Sequence, residues 1–312
     1  MYNNYNCSLK NKLNGEKHVG TVYDEIKKKF ILEKAYDDWV EYRAYLTDTV
    51  IGLGKDDPSK TVCVIGAGPC NDIDLHRLCG AFKQVTLLDC DAASMGFALK
   101  RLNNPEIWKM YLVERSLTGI KEKDISDFCD KVLSDLRDMG SRLNADTFEK
   151  VICTNVEKLR KRMISSEGDL VNTFPKSDIV VCNGVFSQLF STISFFIRSC
   201  AGSLPEQMIP AAMKTADKAD LTFKELSKEL VPVITRVIIR SAKDFAVFGN
   251  EYSENSPVEG ACRCIEAVRN AGVISETKAI WDFNPKENVK YEMLLQVVRG
   301  RVYRFCRHVT DV

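Results

Sequence analysis

The chain has no surplus of either charge: 44 Lys and Arg stand against 43 Asp and Glu. Proteins that grip polyanions usually carry a basic excess, so nucleic acid is not an expected partner. No apolar run approaches the roughly 18 to 20 residues that span a bilayer, and a membrane partner is not expected either. The opening MYNNYNCSLKNKLNGEKH lacks the apolar centre of a signal peptide, so the expected location is cytoplasmic. Histidine is scarce. The three present, His18, His76 and His308, are poorly placed to serve as a hydride-transfer acid. Cysteine is plentiful at twelve, yet the only close pair is Cys262 and Cys264, with no second pair at zinc-finger spacing. Reduced thiols packed in apolar runs, as at Cys63, Cys90 and Cys182, are expected, and no structural metal. Internal repeats and low-complexity tracts are absent.

What is present is an ordinary globular composition, 45% hydrophobic and 28% charged over 312 residues, enough for one large α/β core and an appendage. From about Tyr23 to Leu53, Ile26, Phe30, Ile31, Trp39, Tyr42 and Leu46 recur at three- and four-residue steps, which predicts helix. Gly52, Gly54 and Pro58 end it. Short apolar runs then predict strands at Thr61–Ile65, Val85–Leu88, Met110–Val113, Asp178–Cys182, Phe245–Phe248, Ala279–Phe283 and Tyr291–Val298. Helices are expected between them, at Ser94–Leu102, Phe186–Cys200 and Gly260–Asn270 among others. Strands alternating with helices predict a Rossmann-like, doubly wound, mostly parallel seven-stranded sheet. The link 284–290 is too short for a crossover helix, so the last two strands should form an antiparallel hairpin at or near the sheet edge. Two domains' worth of sequence follow: an N-terminal helical segment at 1–57, and a Rossmann-like domain at 58–312 with helical inserts near 120–176 and 190–243.

Val62-Cys-Val-Ile-Gly-Ala-Gly-Pro-Cys-Asn-Asp72 has the layout needed where backbone must approach a nucleotide. Gly66 permits a tight turn off the strand, and Gly68 lacks the side chain that would block a ligand. Asp89 follows Gly66 by 23 residues, at the end of the next strand, close to the roughly 20 expected of an acid that holds a ribose. A dinucleotide fingerprint wants glycine or alanine at position 71, where this chain has Asn71, and no later glycine-rich turn appears.

The segment resembles the first motif of class I S-adenosylmethionine-dependent methyltransferases, and Leu87-Leu-Asp-Cys-Asp91 resembles their second. Val113-Glu-Arg-Ser-Leu-Thr-Gly119 is similar to the stretch after their third strand. Ser177-Asp-Ile-Val-Val-Cys-Asn-Gly-Val-Phe-Ser-Gln-Leu189 resembles their fourth-strand motif, and Trp281-Asp-Phe-Asn-Pro285 with Tyr291 to Val298 their terminal hairpin. The resemblance covers about residues 58 to 300 outside the inserts, and its specificity lies in the order of the pieces. It implies S-adenosylmethionine as cofactor, with Gly66, Ala67 and Gly68 along its methionine end. Asp89 would hold the ribose, Cys90 or Asp91 would stand beside the adenine, and Ser116 and Leu117 would flank it. Asn183 and Val185 would sit below the sulfonium, and Asp72 either pairs with the cofactor's ammonium or is an ordinary first-turn carboxylate. Cys70 stands where a third glycine is usual, and Ser116 where an aspartate commonly meets the adenine amine.

Methyl transfer is an in-line displacement at an already activated carbon, so positioning carries most of the catalysis and no catalytic residue is legible. No Pro-Pro-aromatic sequence follows Asn183, which disfavours the amino groups of DNA and glutamine as acceptors. A small-molecule acceptor is expected, with the inserts covering the carboxyl ends of the strands. Tyr42, Tyr45 and Gln188 are candidates to face it. Basic groups at Lys158, Arg160, Lys161 and Arg162, and at Arg299, Arg301, Arg304 and Arg307, read as solvated faces. Two other readings stay open: another enzyme on this scaffold, such as an aminopropyl transferase or an NAD oxidoreductase, and a cofactor-binding protein of the same fold without turnover.

Overall fold

The computed structural model describes residues 21–102, 105–165, 174–252 and 258–300. Seven strands form one sheet: β1 (Thr61–Ile65), β2 (Gln84–Asp89), β3 (Met110–Glu114), β4 (Ser177–Asn183), β5 (Ala242–Tyr252), β6 (Val273–Asn284) and β7 (Val289–Arg299), in the order β3-β2-β1-β4-β5-β7-β6. The first five are parallel to one another. The reversed strand, β7, lies between β5 and β6 and is antiparallel to both. The predicted hairpin is therefore inserted inside the edge, with β6 outermost. Both β5 and β6 run longer than their apolar centres suggest, because backbone pairing with β7 continues past the buried residues.

Alternation along the strands sorts side chains into two apolar layers. Cys63, Ile65, Val180, Cys182, Ala246 and Phe248 face one layer, and Val62, Val64, Ile179, Val181 and Val247 face the other. The first layer is built by α1 (Val22–Phe30), α6 (Glu122–Met139), α7 (Ala145–Ser165), α8 (Ser191–Gly202), α9 (Ile209–Ser241) and α10 (Glu259–Gly272). The second holds α3 (Val40–Gly54), α4 (Leu75–Ala81) and α5 (Ala92–Leu102), and the short α2 (Ala35–Asp38) precedes α3 in the chain. Among the described residues, α9 of the second insert packs on β4 and β5, while α6 and α7 of the first pack on α1, α9 and each other.

The single helix expected from Tyr23 to Leu53 is three. Ile31 is extended (φ −79°, ψ 117°) and stops α1, and Trp39 separates α2 from α3. The reason lies in what each buries. Ile26 belongs to the first layer, Tyr42 and Leu46 to the second, so the chain must change faces between them. Helical spacing runs on across the break and hides it. The helix expected from Phe186 begins only at Ser191, after turns in which Gln188 N–H donates to the Val185 carbonyl (3.0 Å) and Ser191 N–H to that of Gln188 (3.1 Å). Among the described residues no helix is long and apolar enough to cross a membrane.

Candidate functional site

β1 and β4 are neighbours whose following helices leave on opposite faces, and the crevice beyond their carboxyl ends is where ligands bind in such sheets. Gly66 closes β1 at φ +67°, with its N–H donated to the Leu88 carbonyl at 2.8 Å. A Cβ there would lie 2.3 Å from Val185 Cγ2, so only glycine lets the ends of β1 and β4 touch. Ala67 N–H donates to the same carbonyl at 3.2 Å. Gly68, at φ +47°, faces open space: nothing lies within 4 Å of where its Cβ would be. Its N–H donates to Asp89 Oδ2 at 2.8 Å, while Asp89 Oδ1 accepts from Asp91 N–H at 2.8 Å. The loop and the acid, 21 positions apart, are in direct contact. Burial pushes the Asp89 carboxyl above the usual carboxylate range, and the two amides partly offset that. Each carboxylate oxygen keeps further lone pairs for a ligand. Cys70, in the place of a third glycine, also has a left-handed backbone (φ +49°) with its thiol fully buried.

At the end of β4 a hydrogen-bond chain fixes Asn183. Tyr42 Oη donates to Asn183 Oδ1 at 2.6 Å, and Asn183 Nδ2 donates to Asp72 Oδ2 at 2.6 Å. An acceptor-only carboxylate at one end dictates the amide's orientation. Burial raises the Asp72 carboxyl, against the Asn183 bond and the nearby Arg43. Beyond Asn183, Gly184 (φ +63°) abuts the edge of Trp281, and Glu251 at the end of β5 stands beside them. Burial raises the Glu251 carboxyl above its ordinary value, the neighbouring Ser187 hydroxyl holding it partly back. Its Oε2 and the Trp281 indole N–H are buried without a protein hydrogen-bond partner. Such groups are uncommon in native interiors and mark places where a ligand or water completes the bonding.

An acid with a raised pKa favours the fold in its protonated form. That stability is complete below the unfolded value and is lost as pH climbs through the folded one. Glu251→Gln should therefore raise the melting temperature at pH 7.5, by the equivalent of roughly 1 to 3 kcal/mol for an uncompensated buried group. The gain should shrink as pH falls toward about 4, because wild-type Glu251, its carboxyl raised by burial, takes up its proton above the ordinary carboxylate range. Identical melting curves at both pH values would show that Glu251 carries no desolvation penalty.

On the far side of the loop, Asp91 accepts from Ser94 N–H (3.0 Å) and Ser94 Oγ (2.7 Å), and pairs with Lys27 of α1 at 2.8 Å. Lys27 also pairs with Glu122, which accepts from Tyr23 Oη at 3.3 Å. Burial opposes the Lys27 charge, but bonds to both carboxylates outweigh it and raise its pKa. Burial pushes the adjacent Cys90 thiol up to about 12. Arg115 N–H donates to the Asp89 carbonyl at 2.8 Å. Ser116, next in the chain, is bonded to Thr118 (3.1 Å) and Leu117 is buried. So the structure links Gly66, Ala67, Gly68, Asp89, Asp91 and Val185 directly and joins Asp72 to Asn183; Cys90 follows Asp89 in the chain, and Ser116 and Leu117 follow Arg115, which bonds the Asp89 carbonyl.

Tyr45 Oη meets Thr277 Oγ1 of β6 at 2.7 Å, and Gln188 is exposed, with its N–H on the Val185 carbonyl at 3.0 Å. Arg160 pairs with Glu229 (3.1 Å) and Arg162 with Asp124 (2.8 Å), as a solvated face would. Arg301, Arg304, Arg307, His18 and His308 fall outside the described residues. Lys27 and Glu251 were missed. For Glu251 a signal existed: like Asp89, it is an acid closing a strand with an apolar centre.

No protein-family profile and no curated protein sequence matches the chain. Solved structures do resemble it. The magnesium protoporphyrin IX methyltransferase of Synechocystis PCC 6803 with bound S-adenosylmethionine is 12% identical, over 96% of this chain and 93% of its own, with a TM-score of 0.43. The N-methyltransferase NodS of Bradyrhizobium japonicum WM9 in complex with S-adenosyl-L-homocysteine is 10% identical, over 91% of this chain and 100% of its own, at 0.45. The precorrin-6y C5,15-methyltransferase of Geobacter metallireducens GS-15 is 9% identical, over 83% and 88%, at 0.35. With β7 alone reversed in the order β3-β2-β1-β4-β5-β7-β6, the chain has the Rossmann-like sheet of the family its motifs resemble, the class I S-adenosylmethionine-dependent methyltransferases.

Proposed function

We propose that the protein transfers a methyl group from S-adenosylmethionine to a small-molecule acceptor. The observation that carries this is the Gly68–Asp89 contact: an open, side-chain-free bend bonded to a strand-end carboxylate with spare lone pairs. In this reading Asp89 accepts from the ribose hydroxyls, and Gly66, Ala67 and Gly68 let the methionine end approach the backbone. Cys90, Asp91, Ser116 and Leu117 surround the adenine, with Lys27 drawing α1 across Asp91. Asp72 receives the ammonium, and Asn183 and Val185 support the sulfonium from below. When bound, the cofactor supplies a methyl group on positive sulfur. The chain's part is to align donor and acceptor within about 3 to 3.5 Å, exclude water and present fixed dipoles. Glu251 is the group placed to meet the acceptor, since its carboxylate lies beside Gly184 and its Oε2 is buried without a protein partner.

Calorimetry with S-adenosylmethionine, S-adenosylhomocysteine and NAD tests the cofactor. Saturable binding of both sulfur compounds and none of NAD is expected, and binding of NAD alone would overturn the proposal. Radiolabelled methyl groups should then pass to the small-molecule fraction of a cell extract. Label appearing only in RNA or protein would refute the acceptor class. Tight cofactor binding with no label anywhere would favour a binding protein without turnover.

A further inference from the structure

The rear of the cofactor loop is gripped by two arginines from different elements. Arg101 of α5 donates Nη2 to the carbonyls of Pro69 (2.6 Å) and Cys70 (3.0 Å), and Nη1 to Asn71 Oδ1 (2.9 Å). Arg43 of α3 donates Nη1 to the Asn71 carbonyl at 3.0 Å and also bonds the Tyr36 carbonyl. Both guanidinium carbons lie 3.8 Å from the centre of the Tyr36 ring. Two guanidiniums cannot share one face at that distance, so the phenol of α2 is sandwiched between them. The ring separates two like charges and attracts each of them. Three consecutive loop carbonyls are thus held on one side. In a trans peptide the N–H points opposite the C=O, so the amides of Asn71 and Asp72 are turned away from the clamp. Oriented amides with cationic backing form an anion-binding concavity.

Resting on the functional reading above, we propose that Arg101, Tyr36 and Arg43 are positioning residues. They set the loop's amides, and its left-handed Cys70, to receive the carboxylate of the cofactor's methionine end without touching the cofactor. Affinity for the amino-acid part of the ligand therefore depends on the clamp, and affinity for its adenosine part does not. The contrast also explains why α2, a single turn, sits where it does: it supplies the spacer between the guanidiniums.

The probes are S-adenosylhomocysteine and 5′-methylthioadenosine, which keeps the adenosine and thioether but lacks the amino-acid end. Wild type should bind the first more tightly. Arg101→Ala should weaken S-adenosylhomocysteine about tenfold or more, as loss of charge-assisted hydrogen bonds implies. Its affinity for methylthioadenosine should stay within about twofold by the same reasoning. Arg101→Lys should rescue only in part, because an ammonium cannot fork across three acceptors. Tyr36→Leu, which leaves every loop bond in place, should give the same selective loss at smaller size and guards against an Arg101→Ala that fails to fold. Equal weakening of both probes would make the clamp merely structural, and no change in either would remove it. If wild type binds neither probe, the functional reading itself fails, and the clamp's role with it.

Discussion

Replacing Asp89 with alanine should weaken binding of S-adenosylhomocysteine by more than tenfold. The carboxylate now accepts from Gly68 N–H and Asp91 N–H, both at 2.8 Å. In the complex its remaining lone pairs would take the ribose hydroxyls. A charge-assisted hydrogen bond contributes roughly 1.5 to 3 kcal/mol, or about ten- to 150-fold in affinity. Alanine removes the ribose contact and leaves two loop amides without their acceptor, so the loss should lie toward the upper end. An asparagine side chain would offer one acceptor oxygen but an NH₂ where the second amide points, so Asp89→Asn should rescue little. Calorimetric titration of both variants checks this, with circular dichroism to confirm that each is folded. Affinity unchanged in Asp89→Ala would remove the ribose role and the basis of the proposed function.

Why this acid was legible in the sequence and others were not comes down to range. β1, the glycine bend, α4 and β2 fall within 30 residues, and each announces itself by local chemistry: a β-branched apolar run, paired glycines at a tight turn, an acid ending a strand. The hairpin was legible for the same reason, since a short link between two apolar runs leaves few alternatives. Lys27 and Arg101 are different. Their partners lie 64 and 30 or more positions away, on elements whose faces must be known first. Nothing in Asp37-Asp-Trp-Val40 says that α1 and α3 serve opposite faces of the sheet, because helical periodicity fixes which residues are buried and not against what. The inserts are harder to read for the same reason: α9 is a 33-residue crossover that packs on β4, β5, α7, α8 and α10, a set of neighbours its periodicity does not name. The N-terminal segment reaches the strand ends through Lys27 at Asp91 and Tyr42 at Asn183, and Glu122 of the first insert joins it at Lys27.

That second contact is the tightest point of the site, and Gly249→Ala should break it. The Cβ would stand 1.8 Å from Asn183 Oδ1, 2.9 Å from its Cγ and 3.2 Å from Tyr42 Oη. Asn183 is 8% exposed and tied at both ends, so it cannot yield without losing Tyr42 or Asp72. Overpacking a filled interior costs about 1 to 3 kcal/mol, and stranding buried polar partners about as much again. Set against a total stability of roughly 5 to 15 kcal/mol, this should lower the melting temperature by on the order of 10 °C. Cofactor binding should weaken too, because Asn183 supports the sulfonium in the proposed complex. The double variant Gly249→Ala/Asn183→Ala separates the two effects: relief of the clash should return part of the lost stability, while binding stays weak. A single variant that melts with wild type would mean the Asn183 side chain does not lie over Gly249. A double variant with restored binding would mean Asn183 does no more than fill space.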